Sequence, residues 1–242
     1  MPTLEDGLLA RLDVLIDLAA GRQGLLLDRD KRLARSETEL LAGALGLAAT
    51  PARGAGDAPP GAPTAAAGSP RFGDDAVELL RTLAESVGIL REHAGRLEVT
   101  ALYDAWHRIG HQLRAGLVYA CWCHRVDWPT LVGGGQAAEQ LACGRLRVLR
   151  LLFGLPAGVD VTLDGLAATA AGAAGLPAGA WLQSALTAVF LDPLVALGVA
   201  QLDPPSPQPP ARLRLRPLAY TVIGSALVAA GEEAPLPPPG SN

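Results

Sequence analysis

The side chains best suited to chemistry gather in one short stretch, His107, His111, Cys121, Cys123 and His124. Imidazole and thiolate are zinc ligands, and histidines four apart share one face of a helix. The surrounding apolar pattern is helical, however, and sets His111 and Cys121 about 15 Å apart along the axis, whereas one ion holds its ligands within about 2.3 Å. A shared site would need the helix to break, with Gly116 the natural place. Packed or surface His and Cys are therefore expected, with no metal and no cofactor.

Other catalytic arrangements fare no better. Neighbouring helix residues point about 100° apart, so Cys123 beside His124 does not make a nucleophile and its base. No Gly-x-Ser-x-Gly elbow is present. Gly133-Gly134-Gly135 lacks both the lysine that follows and the strand that precedes a phosphate loop. Asp160, Asp164, Glu232 and Glu233 fall at helix starts and tails, where acids belong without catalysis. No catalytic residue is expected.

Two clusters could bind rather than react. Arg212, Arg214 and Arg216 alternate with Leu213 and Leu215, so three guanidiniums line one face of a strand. They could grip phosphates, helped by Arg145, Arg147 and Arg150, although a solvated edge guarded by charge has the same pattern and is the favoured reading. Trp106, Trp122, Trp128 and Trp181 read first as core anchors. Trp122 and Trp128, flanking Arg125, also have the composition of an interface centre.

Composition narrows the context. The 242 residues are half hydrophobic, ample for a buried core, and the net charge of −4 repels nucleic acid from the chain as a whole. Three cysteines cannot all pair within one chain, which points to a reducing, cytoplasmic setting. Glu5 and Asp6 stand where a signal peptide needs a basic start. The uncharged stretch 165–191 is long enough to cross a bilayer, but Gly172, Gly175, Pro177 and Gly179 split it, so two buried helices and no membrane contact are expected.

The elements that must position these groups are mostly helices. Leu8, Leu9, Leu12, Leu15, Ile16 and Ala19 recur at helical spacing, with Gly21 as a stop. Leu25 to Leu27 reads as a short strand, and Ser36 with Glu39 as a capping box opening a helix through Leu45. Residues 50–72, rich in Pro, Ala and Gly, bury too little to offset their ordering entropy and read as a linker. After an Asp74 or Asp75 cap, a helix presents Val77, Leu80, Leu83, Ala84 and Val87, and Ile89-Leu90 with Leu97 to Thr100 forms a hairpin. Leu102 to His124 reads as one long helix with Leu102, Trp106, Ile109, Leu113, Leu117 and Ala120 on its buried stripe. A helix from Leu146, a strand at Val159 to Leu163, a helix capped by Asp164, and a further helix from Pro177 to Leu197 interrupted near Asp192-Pro193 follow. Strands at Val199 to Leu202 and Arg212 to Leu215, and a last apolar piece at Tyr220 to Ala230, complete the chain.

From Arg145 onward this order resembles the winged-helix superfamily. The residues that carry it are Leu194-Val195-Ala196-Leu197-Gly198-Val199, like a third helix entering the first wing strand, and Arg212 to Leu218, like the second. A shorter echo lies at Leu80 to Thr100, in Ser86-Val87-Gly88-Ile89-Leu90 and Arg96-Leu97-Glu98-Val99-Thr100. The resemblance implies a mainly α fold with short β-hairpins (α+β), two winged-helix-like units joined by a long helix. It divides the chain into an N-terminal helical segment (1–49), the linker (50–72), a first unit with the connecting helix (73–132), a second unit (133–230) and a tail (231–242).

Many winged helices bind DNA through the third helix and the wing, and others bind only protein. Here the third helix, Ala180 to Leu197, has no Arg or Lys, whereas major-groove docking needs donors and cations. A non-enzymatic interaction or scaffold protein, partnered by another protein or by its own copy, is the expectation. DNA binding through Arg212, Arg214 and Arg216 is the alternative.

Overall fold

A computed structural model describes residues 7–46, 76–176, 178–203 and 211–233. The expected linker, the Asp74 or Asp75 cap, Pro177, the loop tip 204–210 and the tail from 234 onward lie outside the described residues.

The chain begins with α1 (Leu8–Gly21), β1 (Leu25–Leu26) and α2 (Arg35–Ala44), and continues with α3 (Ala76–Val87), β2 (Leu90–His93) and β3 (Arg96–Val99). Apolar residues three and four apart give α1 one buried face, with Leu12, Leu15, Ile16 and Ala19 almost fully enclosed. The helix ends at Gly21 as expected, and the chain turns through Gln23 and Gly24, both at positive φ. A Cβ on Gly24 would crowd Glu98 and Arg96, so glycine lets β1 come up against β3. Arg96 fastens that turn, its Nη2 donating to the Gly24 carbonyl at 2.6 Å.

β2 and β3 are joined by Ala94-Gly95, both at positive φ, the two-residue turn whose twist suits a hairpin. β1 pairs antiparallel with β3, Leu25 opposite Leu97, giving the sheet order β1-β3-β2. The N-terminal segment thus shares a sheet with residues on the far side of the 50–72 tract. The capping box expected for α2 is not made. Its N-cap is Ala34, and Glu39 is drawn to the Arg35 guanidinium at 2.8 Å instead of reaching back to the backbone.

The middle of the chain corrects the single long helix. It consists of α4 (Tyr103–Arg108), α5 (His111–Arg125) and α6 (Trp128–Leu131), with Ile109 and Gly110 extended between the first two. One carboxylate accounts for the break. Asp13 of α1 accepts from Trp106 Nε1 at 2.7 Å and from Arg114 Nη1 at 2.9–3.0 Å, so both sides of the bend are held to the same point. The bend resets the helical phase. α5 buries Ala115, Val118, Tyr119, Trp122 and Cys123, while Leu102, Leu113 and Leu117, expected inside, are 50%, 53% and 38% exposed.

The remainder runs α7 (Gly135–Phe153), β4 (Asp160–Thr162), α8 (Leu163–Ala174), α9 (Ala180–Leu186), a π-helical turn (Thr187–Leu191), α10 (Asp192–Ala196), β5 (Ala200–Leu202), β6 (Arg212–Leu215) and α11 (Leu218–Ala229). α7 starts eleven residues earlier than Leu146, directly from the glycine run. The cap of α8 is Thr162, whose hydroxyl accepts from the Gly165 N–H, and not Asp164, which sits in the first turn. β6 is central in the second sheet, order β4-β6-β5.

The chain is therefore mainly α with two small antiparallel sheets. Its buried side chains form one contiguous core spanning both sheets, α5 and α11. Among the described residues no helix is long and apolar enough to cross a membrane.

Candidate functional site

The segment from Ala180 to Leu197 is continuous and enclosed, with Leu182, Leu186, Phe190, Leu191 and Leu194 at most 1% exposed. Pro193 is absorbed by a π-helical turn. Asp192 N–H reaches back five residues to the Thr187 carbonyl, and proline offers no N–H to the carbonyl four residues before it, at Val189. α5 supplies what the backbone lacks. Trp122 Nε1 donates to the Val189 carbonyl at 2.6 Å, and the Tyr119 hydroxyl donates to that of Phe190 at 3.2 Å.

This places two of the three side chains considered as partner anchors. Trp122 is 3% exposed and Trp128 1%, the latter edge-on to Phe190 at 5.8 Å, so both are core residues out of a partner's reach. Arg125 is exposed, but its Nη1 caps α3 by donating to the Ser86 carbonyl. Burial also fixes the chemistry around them. The Cys123 thiol is pushed up to about 12, and the Tyr119 phenol well above its ordinary value, both chiefly by burial. Burial raises Cys121 as well.

The histidines and cysteines do not converge. His107 pairs with Asp17 at 3.2 Å and meets Tyr103 edge-on, while His124 Nε2 contacts the Ala226 carbonyl of α11 at 2.7 Å. Among the described residues no three His, Cys, Asp or Glu side chains lie together as metal ligands do.

The arginines considered for phosphate are mostly exposed but engaged by partners within the fold. Asp160 lies opposite Arg214 across β4 and β6, bonds its Nε at 2.7 Å, and stands 3.8 Å from Arg212. The hydrogen bond from Arg214 holds the Asp160 carboxyl below the usual range. Arg216 donates to the Gly198 carbonyl at 3.1 Å. On α7, Arg150 forms a two-pronged pair with Glu232, Arg147 donates to the Ala173 carbonyl at the end of α8, and Arg145 is half-buried near Cys123. Arg212 and Arg214 lie on β6, the central strand of its sheet, with Arg216 just past it, and the other three lie on α7.

An apolar groove of about 520 Å³ opens instead where α11 lies between α5 and the end of α7. Leu113, Leu117 and Ala120 form one bank, Phe153 and Tyr220 the other, and Thr221, Gly224, Ser225 and Val228 the floor. The helices touch closely, since a Cβ on Gly116 would overlap Ser225 Oγ. α11 carries no charged residue, and neither does α5 between Arg114 and His124. Val228 is 49% exposed on this face. The uncharged run of α11 was the sequence signal for it, while the exposure of Leu113 and Leu117 depends on the bend at Gly110.

Compared with family models, curated proteins and solved structures, the chain matches none.

Proposed function

We propose that this chain is a non-enzymatic interaction protein of two winged-helix-like units that pairs with a second copy of itself through the α5–α11 groove. The winged-helix reading draws support from the order helix, strand, helix, helix, strand, strand in both halves, and from the matching sheet orders β1-β3-β2 and β4-β6-β5. The observation that carries the pairing is the charge-free face bearing exposed Leu113, Leu117 and Val228.

Contiguous exposed apolar surface of this kind marks interaction sites on soluble proteins. A second copy suits it because the same face carries both projections and depressions. A two-fold axis would lay Leu113 and Leu117 of each copy on the Gly224–Ser225 floor of the other, as an isologous contact requires. Sedimentation of the full chain at tens of micromolar should give a dimer, and Leu117→Asp should return a monomer with unchanged helicity. A monomeric parent chain would refute the reading.

The DNA-binding alternative draws less support, because Arg212 and Arg214 share Asp160 and Arg150 is held by Glu232. It expects a mobility shift on random duplex that fades steeply with salt.

A further inference from the structure

A second cleft, of about 670 Å³, lies where α1 and the start of α5 meet α10, β5 and the end of β6. Its polar wall is Asp13, His111, Arg114 and Arg216, and its apolar wall includes Leu8, Leu197 and Leu202. The volume is that of a small-molecule site, and a few polar groups set against an apolar wall are the usual build of one.

The charges on the polar wall are unequally engaged. Asp13 is fully used, its two oxygens taken by Trp106 Nε1 and Arg114 Nη1. Arg114 is not. Its guanidinium rests over the Trp106 ring, 5.3 Å from the centroid, and bonds only through Nη1 among the described residues. The other edge, Nε with Nη2, is the one that guanidinium uses for a two-pronged grip on an oxyanion. Nε on that edge is sealed from solvent without an acceptor. Nη2, by contrast, is not sealed and carries no bond among the described residues, so it is the donor of that edge open to a ligand oxygen. Arg216 faces the same cleft, its Nη1 held by the Gly198 carbonyl. With Asp13 cancelling one guanidinium, the wall keeps a net positive charge.

We infer that this cleft binds a small organic acid, its carboxylate on Arg114 and Arg216 and its apolar body against Leu8, Leu197 and Leu202. The site is distinct from the pairing face proposed above: although both touch α5, the cleft and the α5–α11 groove share no lining residue.

Hexanoate is the probe, added to the full chain while the Arg114 Nε–H and Trp106 Nε1–H resonances are followed by nitrogen–proton correlation spectra. Saturable shifts of both in the millimolar range are expected, with Arg216→Gln weakening binding at least tenfold and hexanol producing no such shift. Arg216 is exposed, so its variant remains folded even if replacement of Arg114 unfolds the chain. Inorganic phosphate is expected to bind at least tenfold more weakly, since it lacks the apolar body. Absence of saturable shifts, equal shifts with hexanol, equal affinity for phosphate, or an indifferent Arg216→Gln variant would each overturn the assignment.

Discussion

Trp122→Phe tests how α5 and the proline-bearing helix depend on each other. The Val189 carbonyl is buried, has no N–H from Pro193, and receives Trp122 Nε1 at 2.6 Å. Phenylalanine keeps an aromatic ring but removes that donor. Stranding a buried carbonyl costs about 1–3 kcal/mol, and the volume lost between the two rings adds about 1 kcal/mol. The expected loss is thus about 2–4 kcal/mol. Pro193→Ala supplies an N–H four residues after Val189, so in that background the stranding cost should largely vanish and only the volume cost remain. Urea unfolding of the parent, both single variants and the double variant would yield the coupling directly. A value of about 1–2 kcal/mol in the compensating direction is expected. Additivity to within about 0.5 kcal/mol would show that the indole bond does not replace the missing backbone donor.

Other perturbations probe separate joints. Gly116→Ala should destabilise by about 1–3 kcal/mol in thermal unfolding, because its methyl group meets Ser225 Oγ, and Ser225→Ala should recover part of the loss. A thiol reagent at pH 8 should label exposed Cys143 first and reach Cys123 only as the chain unfolds, because burial holds that thiol at about 12. Asp160→Asn should destabilise at neutral pH. The folded carboxyl titrates below its ordinary value, so its contribution is complete above about pH 4 and fades as pH falls through the depressed value, and the gap between parent and variant should close there.

Much of the architecture was legible because it depends on local periodicity. The buried face of α1, the hairpin at Ala94-Gly95 and the strand Arg212–Leu215 follow from spacing and turn chemistry alone. What failed was decided by partners far along the chain. The bend before α5 depends on Asp13, which is 93 residues from Trp106, and it turned Leu113 and Leu117 outward. The alternation of Arg212 and Arg214 was readable, but Asp160, 54 residues from Arg214, determines that they are engaged. Trp122 and Trp128 are the core residues their type suggested, but that Trp122 serves the Val189 carbonyl was not readable, because the π-helical turn that leaves this carbonyl without a backbone donor is set by tertiary packing.

The pairing of β1 with β3 has a consequence for the order in which the chain can fold. Arg96 and Gly24, which lock that junction, are 72 residues apart. At ribosomal rates of about 5–20 residues per second, α1 and β1 wait several seconds for the strand that completes their sheet. Throughout that interval α1 has α2 beside it but lacks α3, β3 and α5, so its apolar face stays only partly covered until the second half of the sheet emerges.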